Sequence, residues 1–218
     1  MISFKQFINE DYKSFRSWFK GSKVKDANGK PLPVYHGSKD VIDEFKYEFT
    51  NKGNDQLGSG FYFTTDENEA KGYGKNIHKV YLNIQKPLDA DAKGNLTFDR
   101  AMFFIKNAPH IKDINDDKNP LWNWGDLKSE NKFIIMKNAA ENYTFKNKNL
   151  VKGLFNLAND FYPDNVEKFN YKIMSSYGYD GIVKHHKNSD HYVAFFPYQI
   201  KSVENEGTWS QEDYNIKK

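Results

Sequence analysis

Strand-like segments stand near both ends of this 218-residue chain, with a long helical block between them, and that order is its strongest constraint on fold. PVYHGS (33–38), GFYFTT (60–65) and KVYLNI (79–84) read as strands on one side of the block, YDGIVK (179–184) and HYVAFFP (191–197) on the other. Each is short and rich in β-branched or aromatic residues. A doubly wound parallel sheet needs strands and helices in alternation, and this chain does not alternate them. The order predicts an α+β fold with a largely antiparallel, split sheet, and a cleft between sheet layers that suits a flat ligand.

The connecting segments carry their own signals. Asn28-Gly29 marks a tight turn in a small hairpin over 21–32, and Asp66 is a good N-cap for a short helix in ENEAKGYG (67–74). Lys86-Pro87 ends the third strand, and residues 46–60 read as a polar, Gly-rich loop. In the block at 97–177, Thr97 caps a helix to about Lys106 and Ser129 caps one to about Glu141; further helical patterns cover 149–161 and 164–176, and a Trp- and Asn-rich loop fills 109–125. Phe4, Phe7, Ile8, Tyr12, Phe15 and Phe19 recur at helical spacing and predict an amphipathic N-terminal helix. The expected division is a helical arm at 1–21, one domain at 22–207 with the helical block as an insertion, and a tail at 208–218.

Composition excludes more than it assigns. With no cysteine there are no disulfides and no thiolate metal sites, and a net charge of +3 gives no argument for nucleic acid by itself. No apolar stretch reaches the length of a membrane helix, and the expected setting is cytoplasmic, in the producing cell or a host. Aromatics at 17% make the apolar content lean on Phe and Tyr, which suit sheet faces and flat-ligand pockets.

Three segments could carry chemistry: Val34-Tyr35-His36-Gly37-Ser38; Gly58-Ser59-Gly60-Phe61-Tyr62-Phe63-Thr64 with Ala70 and Tyr73 after it; and Tyr179-Asp180-Gly181-Ile182-Val183 with His191-Tyr192-Val193-Ala194-Phe195-Phe196-Pro197-Tyr198-Gln199-Ile200-Lys201-Ser202. Taken singly, His36 reads as a hydrogen-bonded core histidine, Tyr62 and Tyr73 as core aromatics, Gly37 and Gly60 as turn formers. Together they resemble the ADP-ribosyltransferase superfamily, in the branch named for a His-Tyr-Glu triad. The ending YDGIV…HYVAFFPYQIKS resembles the ADP-ribosyltransferase domains of phage and mobile-element polyvalent proteins.

The resemblance, which covers 32–89 and 178–203, implies NAD as substrate. It makes His36 the triad histidine on a ribose hydroxyl of the adenosine half, Tyr62 the triad tyrosine stacked on nicotinamide, and Tyr73 the second stacking aromatic. Backbone groups of Gly37 would hold the nicotinamide amide; Ser38 and Gly60 complete the set, and Ala70 replaces a serine found in some members. Stacking a flat pyridinium between aromatic faces is worth on the order of 1 kcal/mol per ring. Where the family has its glutamate stands His191. A neutral imidazole accepts a hydrogen bond from a ribose hydroxyl but brings no negative charge to an oxocarbenium-like transition state. Asp190 could replace that charge only if a bulge turned it inward, and Gln199 would share the face of His191 if the strand ran past Pro197.

The expected activity is mono-ADP-ribosyl transfer to a macromolecule, protein before nucleic acid, with phage-directed action on host machinery as its setting. A catalytically degenerate NAD- or nucleotide-binding module and an NAD glycohydrolase are the alternatives. His185, His186, Asp190 and His191 lie close in sequence, but a solvated hairpin tip explains them better than a metal site. Lys137, Lys146, Lys148 and Lys152 with Trp122 and Trp124 could form a basic–aromatic surface, against the simpler reading of a solvated helical face.

Overall fold

The computed structural model describes residues 12–50, 57–109, 128–146, 149–162, 165–205, 207 and 209–218. The first part of the expected N-terminal helix, Trp122, Trp124 and Lys148 lie outside them. The chain divides into two units: residues 1–47, 60–89 and 178–218 form the first, and 48–59 with 90–177 the second.

The first unit holds the sheet. Its strands are β1 (Val34–Ser38), β2 (Phe61–Thr64), β3 (Asn76–Leu82), β4 (Pro87–Asp89), β5 (Gly181–His185), β6 (Asp190–Ala194) and β7 (Ile200–Ser202). They run in a single hydrogen-bonded order, β4-β5-β6-β2-β1-β3-β7, rather than in two separate sheets. All pairs are antiparallel except β4 with β5, where Pro87 lies opposite Gly181. Alternation works as the sequence implies: Val34, Phe61, Phe63, Val80, Leu82, Val183, Tyr192, Ala194 and Ile200 point to one face and bury a core with Val24, Phe45, Ile84 and Ile216. The hairpin at 21–32 is a tight turn in which Asp26 Oδ1 accepts from the backbone N–H of Asn28 at 2.9 Å and of Lys30 at 2.8 Å. Gly29 sits there at φ 76°, where a side chain would be strained.

The expected arm and tail belong to this unit. Residues 12–18 form helix α1, and Trp18 and Phe19 are buried with Trp209. Lys201, fully buried, donates from Nζ to the carbonyls of Asp213 at 2.7 Å and Asn215 at 2.9 Å, fixing the C-terminal segment against β7. Gln199 does not share a strand face with His191. β6 ends at Ala194, and Pro197–Gln199 turns as a short 3₁₀ helix because Pro197 cannot donate to a ladder. Gln199 Oε1 accepts from Phe195 N (2.9 Å) and Phe196 N (2.8 Å), and Nε2 donates to Asn83 O (3.1 Å) and Asp180 O (2.9 Å). With its amide fully engaged and 1% exposed, Gln199 staples the β6–β7 connection and has nothing left for a ligand.

The short helix α2 (Glu67–Lys71) also lies in the first unit, and its N-cap Asp66 accepts from Asn68 N as predicted. The second unit holds the helical block: α3 (Phe98–Lys106), α4 (Ser129–Lys146), α5 (Leu150–Phe161) and α6 (Val166–Tyr177). Thr97 and Asn149 cap α3 and α5. Phe104, Leu154, Phe161 and Phe169 are buried; the Phe169 ring packs on Phe104 and on Tyr162, whose hydroxyl donates to Phe104 O at 2.6 Å.

Candidate functional site

Strand register decides which of the expected site residues can meet. Tyr35 lies opposite Thr64 across β1 and β2, while Tyr62 lies opposite Val193 and Thr64 opposite His191 across β2 and β6. Because side chains alternate, Gly37, Tyr62, Thr64 and His191 share one face, and His36 shares the other with Val34 and Phe63. The sheet therefore brings Gly37, Tyr62 and His191 together. It does not bring the His36 ring onto their face, and the expected convergence of His36 with Tyr62 and Tyr73 gives way to a link through the backbone.

That link is specific. His36 Nδ1 is 2.8 Å from the carbonyl oxygen of Tyr62, which can only accept, so Nδ1 carries the proton and Nε2 is left as an acceptor. The ring packs edge-on against Phe45 at 5.1 Å between centroids and against Phe63 at 5.6 Å. Burial, the largest influence, holds the His36 pKa below the ordinary histidine value, with His78 opposing its charge and the Tyr62 carbonyl favouring it. Neighbouring His78, opposite His36 in register, sets Nε2 2.9 Å from Ser38 Oγ, and that hydroxyl donates to Asp40 O. Ser38 is thus engaged along its own loop.

The opposite face is closed by α2, and two glycines permit it. A Cβ on Gly37 would lie 1.8 Å from the carbonyl oxygen of Ala70, and one on Gly74 2.1 Å from that of Ser38. Gly37 is a packing glycine rather than a turn former. Gly60 is another, since its Cβ would meet Ala194 O at 2.6 Å. Tyr62 is half-buried on this face. Just past α2, Tyr73 donates its backbone N–H to Ala70 O at 3.0 Å and keeps 66% of its surface exposed, a ring presented to solvent rather than to the core.

His191 and Asp190 part company here. Pairing from Phe61↔Ala194 to Thr64↔His191 is uninterrupted, so no bulge turns Asp190 inward. Asp190 instead faces His185, whose Nδ1 is 2.9 Å from its Oδ1, and accepts from Tyr192; burial first, then the Asp190 charge, pushes that phenol up to about 12. His191 Nε2 lies 2.6 Å from Oε1 of Glu69 on α2. That ring nitrogen is buried, and the Glu69 carboxylate is the charge it faces.

Glu69 is the residue that sequence reasoning passed over. Its Oε2 accepts from Thr64 Oγ1 at 2.6 Å and Ser189 Oγ at 3.1 Å. Partial burial is the largest influence on its acidity and works to raise its pKa; the hydrogen bonds from Thr64 and Ser189 and the neighbouring His191 outweigh it, so the net shift is downward and the carboxylate stays charged. The available signal was Asp66-x-x-Glu69, which reads as a capping box whose glutamate turns back to its own helix start. In the fold, Asp66 N donates to Thr64 Oγ1 at 3.1 Å instead, and the glutamate reaches across to β6.

The sheet thus gathers Gly37, Tyr62 and His191 on the face that α2 closes, with Glu69 against His191. The family model described as ADP-ribosyltransferase in polyvalent proteins matches residues 26–210, and the chain belongs to that family. No curated protein matches the chain. Among solved structures, a crystal structure of an anti-CRISPR protein aligns with 75% of this chain and 88% of that one, at 13% identity and a TM-score of 0.30.

Proposed function

We propose that this chain is a mono-ADP-ribosyltransferase that takes NAD as substrate and joins one ADP-ribose unit to a macromolecular acceptor, a protein before a nucleic acid. Family membership across residues 26–210 carries the reading. The α2 face supports it: nicotinamide would lie by the Gly37 backbone, between Tyr62 and the exposed ring of Tyr73, while His36, on the opposite face, would act through the Tyr62 carbonyl that it holds. The C1′–N bond to nicotinamide breaks with its electron pair leaving on nicotinamide, and an acceptor lone pair makes the new bond to C1′. His191 in the place of the family's glutamate favours single transfer over polymer growth. The opening MISFKQFINE is similar to the starts of tailed-phage proteins and supports a phage-encoded enzyme acting on host machinery in a host cytoplasm.

The test is labelled NAD with wild type, His36→Ala, Tyr62→Ala and Tyr73→Ala in a host lysate, read as nicotinamide release and as label on macromolecules. Wild type should label an acceptor, and each substitution should lower both signals. No label and no nicotinamide from wild type, or an unchanged rate in His36→Ala, would overturn the reading.

A further inference from the structure

We propose that Glu69 brings to this site the carboxylate that residue 191 lacks, so that a helix-borne glutamate and a strand-borne histidine together do the work of one strand glutamate. The inference rests on the transferase reading and concerns how this chain performs it. Three observations carry it.

The first is placement. Thr64 and His191 are register partners, so Tyr62 and His191 are diagonal neighbours on one face, a relation that sets side chains about 7–8 Å apart. Glu69 approaches that face from α2, the helix whose Ala70 backbone presses on Gly37 and whose exit carries Tyr73. One five-residue helix therefore carries Glu69, packs on Gly37 and leads into Tyr73.

The second is orientation. Glu69 occupies the third helical position after its cap, where a glutamate ordinarily bonds its own helix start. Thr64 and Ser189 both donate to Oε2, drawing the carboxylate out to β2 and to the turn before β6 and leaving Oε1 against His191. A surface glutamate with only a helical role needs neither partner.

The third is access. His191 Nε2 is buried against Glu69 at 2.6 Å, yet the side chains of His191 and Glu69 remain 25% and 31% exposed. The pair is ordered on its protein side and reachable from the other. Of the ionisable groups around it, the His186 ring, from the β5–β6 turn, packs tilted against His191 with centroids 4.5 Å apart, and Lys184 lies opposite His191 on β5.

In the reaction, the electron pair of the C1′–N bond leaves with nicotinamide, which becomes neutral, and positive charge grows on the ribose. The attacking lone pair ends that charge and the acceptor's proton passes to solvent. Glu69 fixes the His191 ring and sets a negative charge behind it, so that a ribose hydroxyl meets an imidazole backed by a carboxylate. Glu69 is thus a positioning and electrostatic residue, and His191 the group that meets substrate.

The experiment uses the full chain with NAD as probe, reading nicotinamide release for kcat, calorimetry for NAD affinity and thermal melts for folding. Glu69→Gln should lower kcat about 100-fold, the scale lost with one preorganised electrostatic contact, while NAD affinity stays within about twofold. The double variant Glu69→Gln with His191→Glu returns a carboxylate to the strand and should recover most of the wild-type kcat; Glu69→Asp, which keeps charge but shortens reach, should fall between. A kcat within about twofold of wild type in Glu69→Gln overturns the proposal, as does a double variant no faster than Glu69→Gln. If Glu69→Gln fails to fold, an unchanged kcat in Glu69→Asp overturns it as well. A wild type that releases no nicotinamide removes the transferase reading and this proposal together, whereas an active wild type with an indifferent Glu69 removes this proposal alone.

Discussion

The two faces of the sheet at β1, β2 and β6 are built from adjacent residues and obey opposite rules. On one, His36 is wedged among Phe45 and Phe63 with its proton fixed on Nδ1 by a backbone carbonyl. On the other, His191 meets a carboxylate and stays partly open. Packing settles the protonation of the first histidine, and a charge partner surrounds the second. A one-residue change of register would exchange them, which is why the glycines that set α2 on its face matter more than any single polar contact.

The sharpest way to break the comparison is to push α2 off its face. Gly37→Ala puts a methyl 1.8 Å from a backbone oxygen that no rotamer change can move. The expected loss is about 3 kcal/mol of stability, the upper part of the range for overpacking. Nicotinamide release should vanish with it, because Glu69 and Tyr73 move with the helix. A melt within about a degree of wild type would mean that the helix does not rest on this strand.

Acid separates the faces next. Burial holds the pKa of His36 below the ordinary value of 6.5, and that of His78 lies below it for the same leading reason. The unfolded chain therefore takes up these protons first, and stability is full above 6.5 and falls as pH drops below it, by at most about 1.4 kcal/mol per pH unit for each histidine. Glu69 is also lowered, but from 4.5, so its contribution is present above that value and lost only as pH falls through its folded pKa. Denaturant titrations across pH should show the core-face slope beginning near 6.5, and His36→Asn should remove about half of it. An identical slope in that variant would mean that His36 is not held neutral by the fold.

Much of this arrangement was legible in sequence, and the missing parts share a cause. Asn28-Gly29 and Asp66 act over a few residues, and their turn and cap lie where local chemistry puts them. Alternation in FYFT and VYHGS gave the strands; the family motif named His36, Tyr62, Tyr73 and His191 as candidates, and the sheet sets Tyr62 and His191 on one face and His36 on the other. Strand β4 was missed because Pro87–Asp89 is a strand only through its parallel partner β5, far along the chain. The fate of Gln199 turned on Pro197 diverting the backbone, and its four partners come from three separate segments. Glu69 was passed over because its partners Ser189 and His191 are neighbours only once β2 and β6 have paired.

A smaller effect tests the open end of the same face. Tyr73 is 66% exposed and contributes little packing, so Tyr73→Ala should leave the melt unchanged. Losing one stacking partner should weaken NAD by about 1 kcal/mol, roughly fivefold in Kd by calorimetry. Equal affinity would place nicotinamide away from the exit of α2.

The smallest expected effect on activity is the most discriminating about how Glu69 is held. Asp66→Ala removes the N-cap of α2, which costs about 1 kcal/mol in stability. If the cap also aimed Glu69, turnover would drop along with the melt. The hydrogen bonds argue otherwise: Thr64 Oγ1 accepts from Asp66 N and donates to Glu69 Oε2, so a hydroxyl on β2, not the cap carboxylate, aims the glutamate. Nicotinamide release by Asp66→Ala should therefore stay within about twofold of wild type below its melting range. Thr64→Val, which leaves the cap intact and removes that hydroxyl, should slow release while melting close to wild type. The reverse pattern would make Glu69 a residue that serves its own helix.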